Sequence, residues 1–254
     1  MAICTLLTDF GLSDYYVAAV KGTLLRLAPG TQLVDISHSV EPGNVHAAGH
    51  LLAAALPSFP DGTVHLSVVD PGVGSERRLL AVAVKDQLCV APDNGLLTPV
   101  LANADVHEVT RADLFQEGAG ETFHGRDRLA PIAAFLLRGG SLHDLGPVTE
   151  PLILRRPDPV RAAECLYGEV VHVDHFGNAI SNIPSGWLTK EFFGARFGDL
   201  EIQRSARFYA ELEIGEAAVL PGSTGTLEAA MRDCNLAEEA NIRVGAQVRI
   251  PLRP

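Results

Sequence analysis

Basic residues are in short supply. Lys and Arg total 20 against 31 Asp and Glu in 254 residues, a formal net charge of −11. That balance excludes a protein that holds phosphate backbones or anionic membrane surfaces, which require a basic footprint. There are four cysteines, Cys4, Cys89, Cys165 and Cys234, and no CxxC pair. Zinc-ribbon spacing and dithiol redox chemistry are therefore excluded, and the thiols read as small buried apolar residues of a reducing compartment. No apolar run approaches the roughly 20 residues of a membrane span. The opening MAICTLLTDFG has no basic segment before its apolar one, so it does not read as a signal peptide, and a cytoplasmic protein is expected. Internal repeats and low-complexity stretches are also absent. So are the GxGxxG and GxxxxGK[ST] loops of nucleotide binding and any Ser-His-Asp order.

What the chain does have is a hydrophobic content of 47%, ordinary for a globular protein that buries a core without staples. Its length suits one to two domains. The first half alternates strand-like and helix-like segments. Strands are expected at 2–8, 32–36, 64–69, 79–84 and 87–91, and helices at 14–27, 45–56 and 129–137. This rhythm predicts βαβ units and a largely parallel sheet covered on both faces. Beyond the charged, proline-rich junction Arg155-Arg156-Pro157-Asp158-Pro159 the pattern changes. Short strands are expected at 166–173, 179–182, 199–203, 217–220 and 247–251, with short helices near 227–231 and 236–239. The fold class is thus α/β: an N-terminal α/β domain (1–157) followed by a smaller, mostly-β barrel domain (158–254).

Five polar clusters fall where expected strands end, the edge at which open α/β sheets bind ligands. In Thr8-Asp9-Phe10-Gly11 with Asp14, Asp9 suits a pair of hydroxyls, and Asp14 reads equally as a helix cap or a ligand contact. In Asp70-Pro71-Gly72-Val73-Gly74-Ser75-Glu76-Arg77, Asp70 opens a tight loop and Arg77 closes it; taken alone the pair reads as a loop-stapling ion pair ahead of a site. Pro92-Asp93-Asn94-Gly95 has the chemistry of a turn. His124, in Phe123-His124-Gly125-Arg126-Asp127, is one of nine histidines and stands where a general base or hydrogen-bonding group would suit. Asp174-His175-Phe176-Gly177-Asn178 reads as a hairpin or as a reader of an adenine edge and face. Residue patterns alone end at a cleft for a small polar ligand, a nucleoside among the candidates.

Taken in order, TDFGLSDYYV, DISHSVEPGNV, VVDPGVGSERR, APDNGLL, TFHGRD and DHFGNAISNI resemble the S-adenosylmethionine hydroxide adenosyltransferase family. This family is related to enzymes that fluorinate or chlorinate the same substrate. The ordered strings span nearly the whole chain, and GSTGTLEAA is a looser match near the end. The resemblance implies hydrolysis of S-adenosyl-L-methionine to adenosine and L-methionine without metal or organic cofactor. It also implies a homotrimer, with each site shared between the N-terminal domain of one subunit and the C-terminal domain of its neighbour. By the same resemblance Asp70, Arg77 and His124 form the catalytic triad. Asp9 would hold the ribose hydroxyls, Asp14 the methionine ammonium, and Ser223 the methionine carboxylate. Asn178 would contact adenine, with Asp174 and Phe176 lining the site and Asn94 as a further substrate contact. Gly222 stands where many relatives carry asparagine, and Arg232-Asp233-Cys234-Asn235 departs from the commoner Arg-Gly-Asn-Ala. Two alternatives remain: a halogenase attacking the same carbon, and a nucleoside-binding module without turnover.

Overall fold

Residues 2–116, 118, 120–188 and 192–252 are described in the structure, a computed structural model. The chain divides into two compact units, Met1–Arg155 and Arg156–Pro254.

In the first unit, strands β1 (Ile3–Thr8), β2 (Gln32–Ser37), β3 (Val64–Val68), β4 (Leu79–Val84), β5 (Gln87–Pro92) and β6 (Asp105–Glu108) form one sheet in the order β2-β1-β3-β5-β4-β6. Pairings β1–β2, β1–β3 and β3–β5 are parallel, whereas β4 is antiparallel to both β5 and β6. The expected parallel sheet is therefore interrupted by one strand. Its cause is local: the Lys85-Asp86 connection is too short for a crossover, and Lys85 takes the left-handed conformation (φ +54°) of a tight hairpin turn. Helices α1 (Tyr16–Leu27) and α3 (Ala130–Leu137) cover one face, and α2 (Val45–Ala55) packs on the other.

Alternation along β1 shows how the sequence feeds both layers. Cys4 and Leu6 join Val20, Leu24 and Ile132 in one core, while Leu7 joins Leu52, Val82 and Cys89 in the other. The strand order reverses at β1, since β2 lies to one side of it and β3 to the other. Connections therefore diverge from the carboxyl ends of β1 and β3, where Thr8 pairs with Val68. Such a switch point is the ligand crevice of open α/β sheets.

The second unit contains β7 (Val160–Arg161), β8 (Cys165–Val173), β9 (Ala179–Pro184), β10 (Ala195–Phe197), β11 (Leu200–Ile202), β12 (Ala217–Pro221), β13 (Thr226–Met231) and β14 (Gln247–Pro251), with the four-residue helix α4 (Leu236–Glu239). Its order is β11-β10-β14-β8-β9-β13-β12, with β7 paired to β8 and every pairing antiparallel. A bridge from Ser205, beyond β11, to Val219 of β12 brings the ends together into a nearly closed barrel.

The expected helix at 227–231 is strand β13. Leu-Glu-Ala-Ala-Met favours a helix locally, but pairing with β9 and β12 overrides that preference. Leu227 and Ala229 point into the barrel core, and Ala230 joins a separate cluster on the opposite face. Among the described residues no helix is long and apolar enough to cross a membrane.

Candidate active site

The first unit brings three of the sequence candidates into one contact network. Asp70 leaves β3, and the turn after it returns the chain so that Arg77 Nε donates to both carboxylate oxygens, at 2.6 and 2.8 Å. Arg77 Nη2 bonds Asp70 Oδ2 as well, and also lies 3.0 Å from His124 Nδ1. The side chains are almost enclosed: 5% of Asp70, 9% of Arg77 and 1% of His124 remain accessible. An isolated staple on an exposed loop would not need that enclosure.

His124 immediately precedes a π-helical turn, Gly125–Leu129, that leads into α3. A Cβ at position 125 would come within 3.2 Å of Phe10 and 3.3 Å of Val68, so glycine lets this turn approach the carboxyl ends of β1 and β3. A guanidinium only donates, so His124 Nδ1 accepts and its Nε2 carries the hydrogen, 3.2 Å from Glu121 Oε2. Burial pushes the His124 imidazole below the ordinary histidine range, and the nearby Arg128 and Arg77 charges add to that shift against the pull of Glu121. His124 is thus a neutral ring whose two nitrogens are both engaged.

Asp9, at the end of β1, accepts the Gly43 amide at 2.8 Å through Oδ2. Asp14 is not a helix cap. The α1 cap position is Tyr15, without a side-chain bond, and Asp14 is exposed with Ser13 Oγ 3.4 Å away. Beside it Phe10, Tyr15, Tyr16 and Phe123 pack edge to face or tilted. Asn94 spends its side chain on the backbone, donating to the Val69 carbonyl at 2.8 Å and accepting the Leu96 amide at 3.1 Å. That contact anchors the residue just before Asp70. Arg78, next to Arg77 and just before β4, holds Asp93 instead.

The second unit carries a cleft of about 1040 Å³, lined in part by Asp174, Phe176, Asn178, Tyr209, Ser223 and Glu228. This volume suits a nucleoside-sized ligand. Asp174 Oδ1 accepts the amides of Phe176 and Asn178, while Oδ2 accepts Asn178 Nδ2, all at 2.9 Å. The Phe176 residue is 73% exposed, with the His175 ring edge-on to its own at 5.6 Å between centroids. Tyr209 hydroxyl donates to Glu228 and lies 3.4 Å from Asn178 Nδ2. Burial raises the Glu228 carboxyl, aided by Asp174, against the lowering bond from Tyr209.

Sequence reasoning missed Glu121, Tyr209 and Glu228. Glu121 stands three residues before His124, the one signal available. Glu228 was hidden by the helical appearance of its segment.

The model of the SAM hydroxide adenosyltransferase N-terminal domain matches residues 4–146, and that of the C-terminal domain matches residues 168–249. An (R)-S-adenosyl-L-methionine hydrolase of Salinispora tropica is 40% identical over 253 residues, covering 96% of this chain and 95% of its own. A fluorinase of Nocardia brasiliensis is 28% identical, covering 98% and 96% respectively. Among solved structures, an uncharacterized conserved protein from Thermotoga maritima superposes with a TM-score of 0.91 at 36% identity, covering 98% of this chain and 99% of that one.

Proposed function

The chain belongs to the SAM hydroxide adenosyltransferase family, and from that premise we propose that it hydrolyses S-adenosyl-L-methionine to adenosine and L-methionine. The observation that carries this reading is the enclosed Asp70–Arg77–His124 network. Hydroxide attacks C5′ of the ribose, the C5′–S bond breaks, and both electrons stay on sulfur. The sulfonium therefore departs as a neutral thioether.

The task for the protein is to supply hydroxide near neutral pH, since bulk water has a pKa of about 15.7. Arg77 remains charged throughout and stabilises an anion at short range in a partly dry site. Its contacts to Asp70 and His124 use Nε and Nη2 and not Nη1, so we assign Nη1 to the water that becomes hydroxide, whose proton passes to bulk solvent. Asp70, already neutralised by Arg77, orients the guanidinium and does not repel the nucleophile. His124 acts in this reading as the second clamp, because its Nδ1 lone pair is already directed at Arg77.

We assign Asp9 to the ribose hydroxyls, Asp14 to the methionine ammonium, and Ser223 to the carboxylate. Asn178 and Phe176 take the adenine edge and face, with Asp174 fixing their loop. Asn94 acts from behind, holding the backbone at Val69. These groups fall in two units, taken as domains 1–157 and 158–254. The same proposal makes the protein a homotrimer in which neighbouring subunits contribute the two halves of each site. A cytoplasmic setting fits the free thiols of Cys4, Cys89 and Cys165, all buried.

Incubation of the purified protein with S-adenosyl-L-methionine, followed by chromatography, tests the reaction. Adenosine formed without halide is expected. A 5′-halo product that appears only with chloride or fluoride would assign a halogenase, and binding without product a nucleoside-binding module. Mixing two inactive variants, Arg77→Lys and Asn178→Ala, tests the shared site: reassembled trimers should regain activity. A fully active monomer in light scattering would refute it.

A further inference from the structure

Folding gathers one group of metal-binding donors that the sequence spacing does not announce. Asp105 and His107 stand two apart on β6, so their side chains share a face of the strand. His143 lies in a single 3-10 turn, Leu142–Asp144, that folds against it. One ligand atom from each of the three lies within 4.8 Å of the others.

We propose that Asp105, His107 and His143 bind a divalent cation of the zinc type, clasping the sheet's last strand to the chain around residues 143–146. The argument turns on His107, which is 1% exposed. Its Nδ1 lies 2.8 Å from the Gly146 carbonyl, which can only accept, so Nδ1 carries a hydrogen and Nε2 is left as the ring's ligand atom. That nitrogen is buried and has no hydrogen-bond partner among the described residues. It faces Asp105 Oδ1 at 3.3 Å, and the His143 ring stands edge-on with centroids 4.8 Å apart.

A buried, unpartnered ligand nitrogen opposite a carboxylate oxygen is unfavourable unless a positive centre stands between them. Two imidazoles and one carboxylate are a donor set that zinc accepts, with water completing a tetrahedron. The Gly146 carbonyl on the remote nitrogen is the outer-shell contact that fixes a ligating imidazole. Bonds of about 2.0–2.1 Å bring tetrahedral ligands to roughly 3.3 Å from one another, so closure asks only a side-chain adjustment. His143 and Asp105 are exposed enough to make it. None of the three residues belongs to the Asp70–Arg77–His124 network, so the site is structural and separate from hydrolysis.

Equilibrium dialysis of the full chain against zinc chloride should give one ion per chain. Because His107→Gln can itself disturb the fold, the decisive variants are the exposed ligands, His143→Ala and Asp105→Asn. Loss of an outer-shell partner typically weakens binding 10–100-fold; loss of His143 should weaken it by more than about 100-fold. Zinc at 100 times its Kd should raise the folded-to-unfolded ratio of the parent about 100-fold, and neither variant should show this. The proposal is overturned if the parent binds no stoichiometric zinc. It is equally overturned if both variants bind as tightly as the parent, or if nuclear magnetic resonance finds both His107 nitrogens protonated in the presence of zinc.

Discussion

Replacing Arg77 by lysine isolates the guanidinium from its charge. The parent side chain spans Asp70 and His124 together, with Nε 2.6 Å from one carboxylate oxygen and Nη2 3.0 Å from the imidazole. A lysine retains a positive charge beside Asp70 but offers one compact ammonium, which cannot occupy both positions and still present a donor to water. Arg77→Ala is the worse experiment. It leaves the Asp70 carboxylate, 5% exposed, without a counter-charge, and breaking a buried pair this way costs about 3–5 kcal/mol of stability. For Arg77→Lys the loss of a positioned donor at the developing charge is worth about 2.7–4 kcal/mol, or 10²–10³ in kcat. In the proposed site other residues hold the substrate's adenine and methionine ends, so KM should move only a few-fold. Adenosine release by chromatography gives the rate, and a urea melt shows that the variant is folded. A folded Arg77→Lys with kcat within about threefold of the parent would refute the assignment of the nucleophile to this guanidinium.

Further expectations follow from burial. His65, fully enclosed on β3, is pushed down to about 4 by burial, against an opposing pull from Gln87. The unfolded chain therefore takes up its proton first: stability is complete above about pH 6.5 and is lost as pH falls toward 4, by roughly 2 kcal/mol at pH 5. His124, also lowered, adds a loss of the same sign. A urea midpoint unchanged between pH 7.5 and 5 would contradict both. Burial pushes the Cys4 and Cys89 thiols up to about 12, so at pH 8 mass spectrometry should find them unlabelled in the native protein, and Cys234 should react first. Labelling of Cys4 at the rate of Cys234 would reject the packing of β1. Gly177→Ala should lower stability by about 2–5 kcal/mol: φ is +86°, and the added Cβ would meet Asn235 Oδ1 at 1.9 Å. A calorimetric melt like that of the parent would show that this hairpin is not held as described.

Legibility in the sequence followed from how local each determinant is. Strands β1, β3, β4 and β5 and helix α1 declare themselves by period and by stop signals, because one face or both must be apolar to pack. The direction of β4 rests on a two-residue connection, Lys85-Asp86, and was readable in principle from its length alone. β13 was not readable. Glu228 and Ala230 carry high helix propensity, and only the neighbouring β9 and β12, more than forty residues and a few residues away in sequence respectively, make the segment extended. β6 has four residues and one buried pair, Val106 and His107, too short a run for any period to register.

Site residues divide the same way, and the division bears on what each one does. The ordered motifs identify Asp70, Arg77 and His124 as a set, but both readings of the Asp70–Arg77 pair, staple and catalyst, predict the same contact. What separates them is enclosure together with a third partner, and neither is a property of spacing. His124 shows the point. Its residue type invites a general-base role, yet its Nδ1 receives Arg77 and its Nε2 faces Glu121 across 3.2 Å. A base that must take a proton from water would first have to release one of these partners. Replacing His124 by asparagine, which keeps an acceptor for Arg77 but titrates nowhere near neutrality, separates the two roles. As a clamp it should retain most of kcat, with the same dependence on pH as the parent. A loss as deep as that of Arg77→Lys, in a folded variant, would mean that the imidazole carries the proton after all.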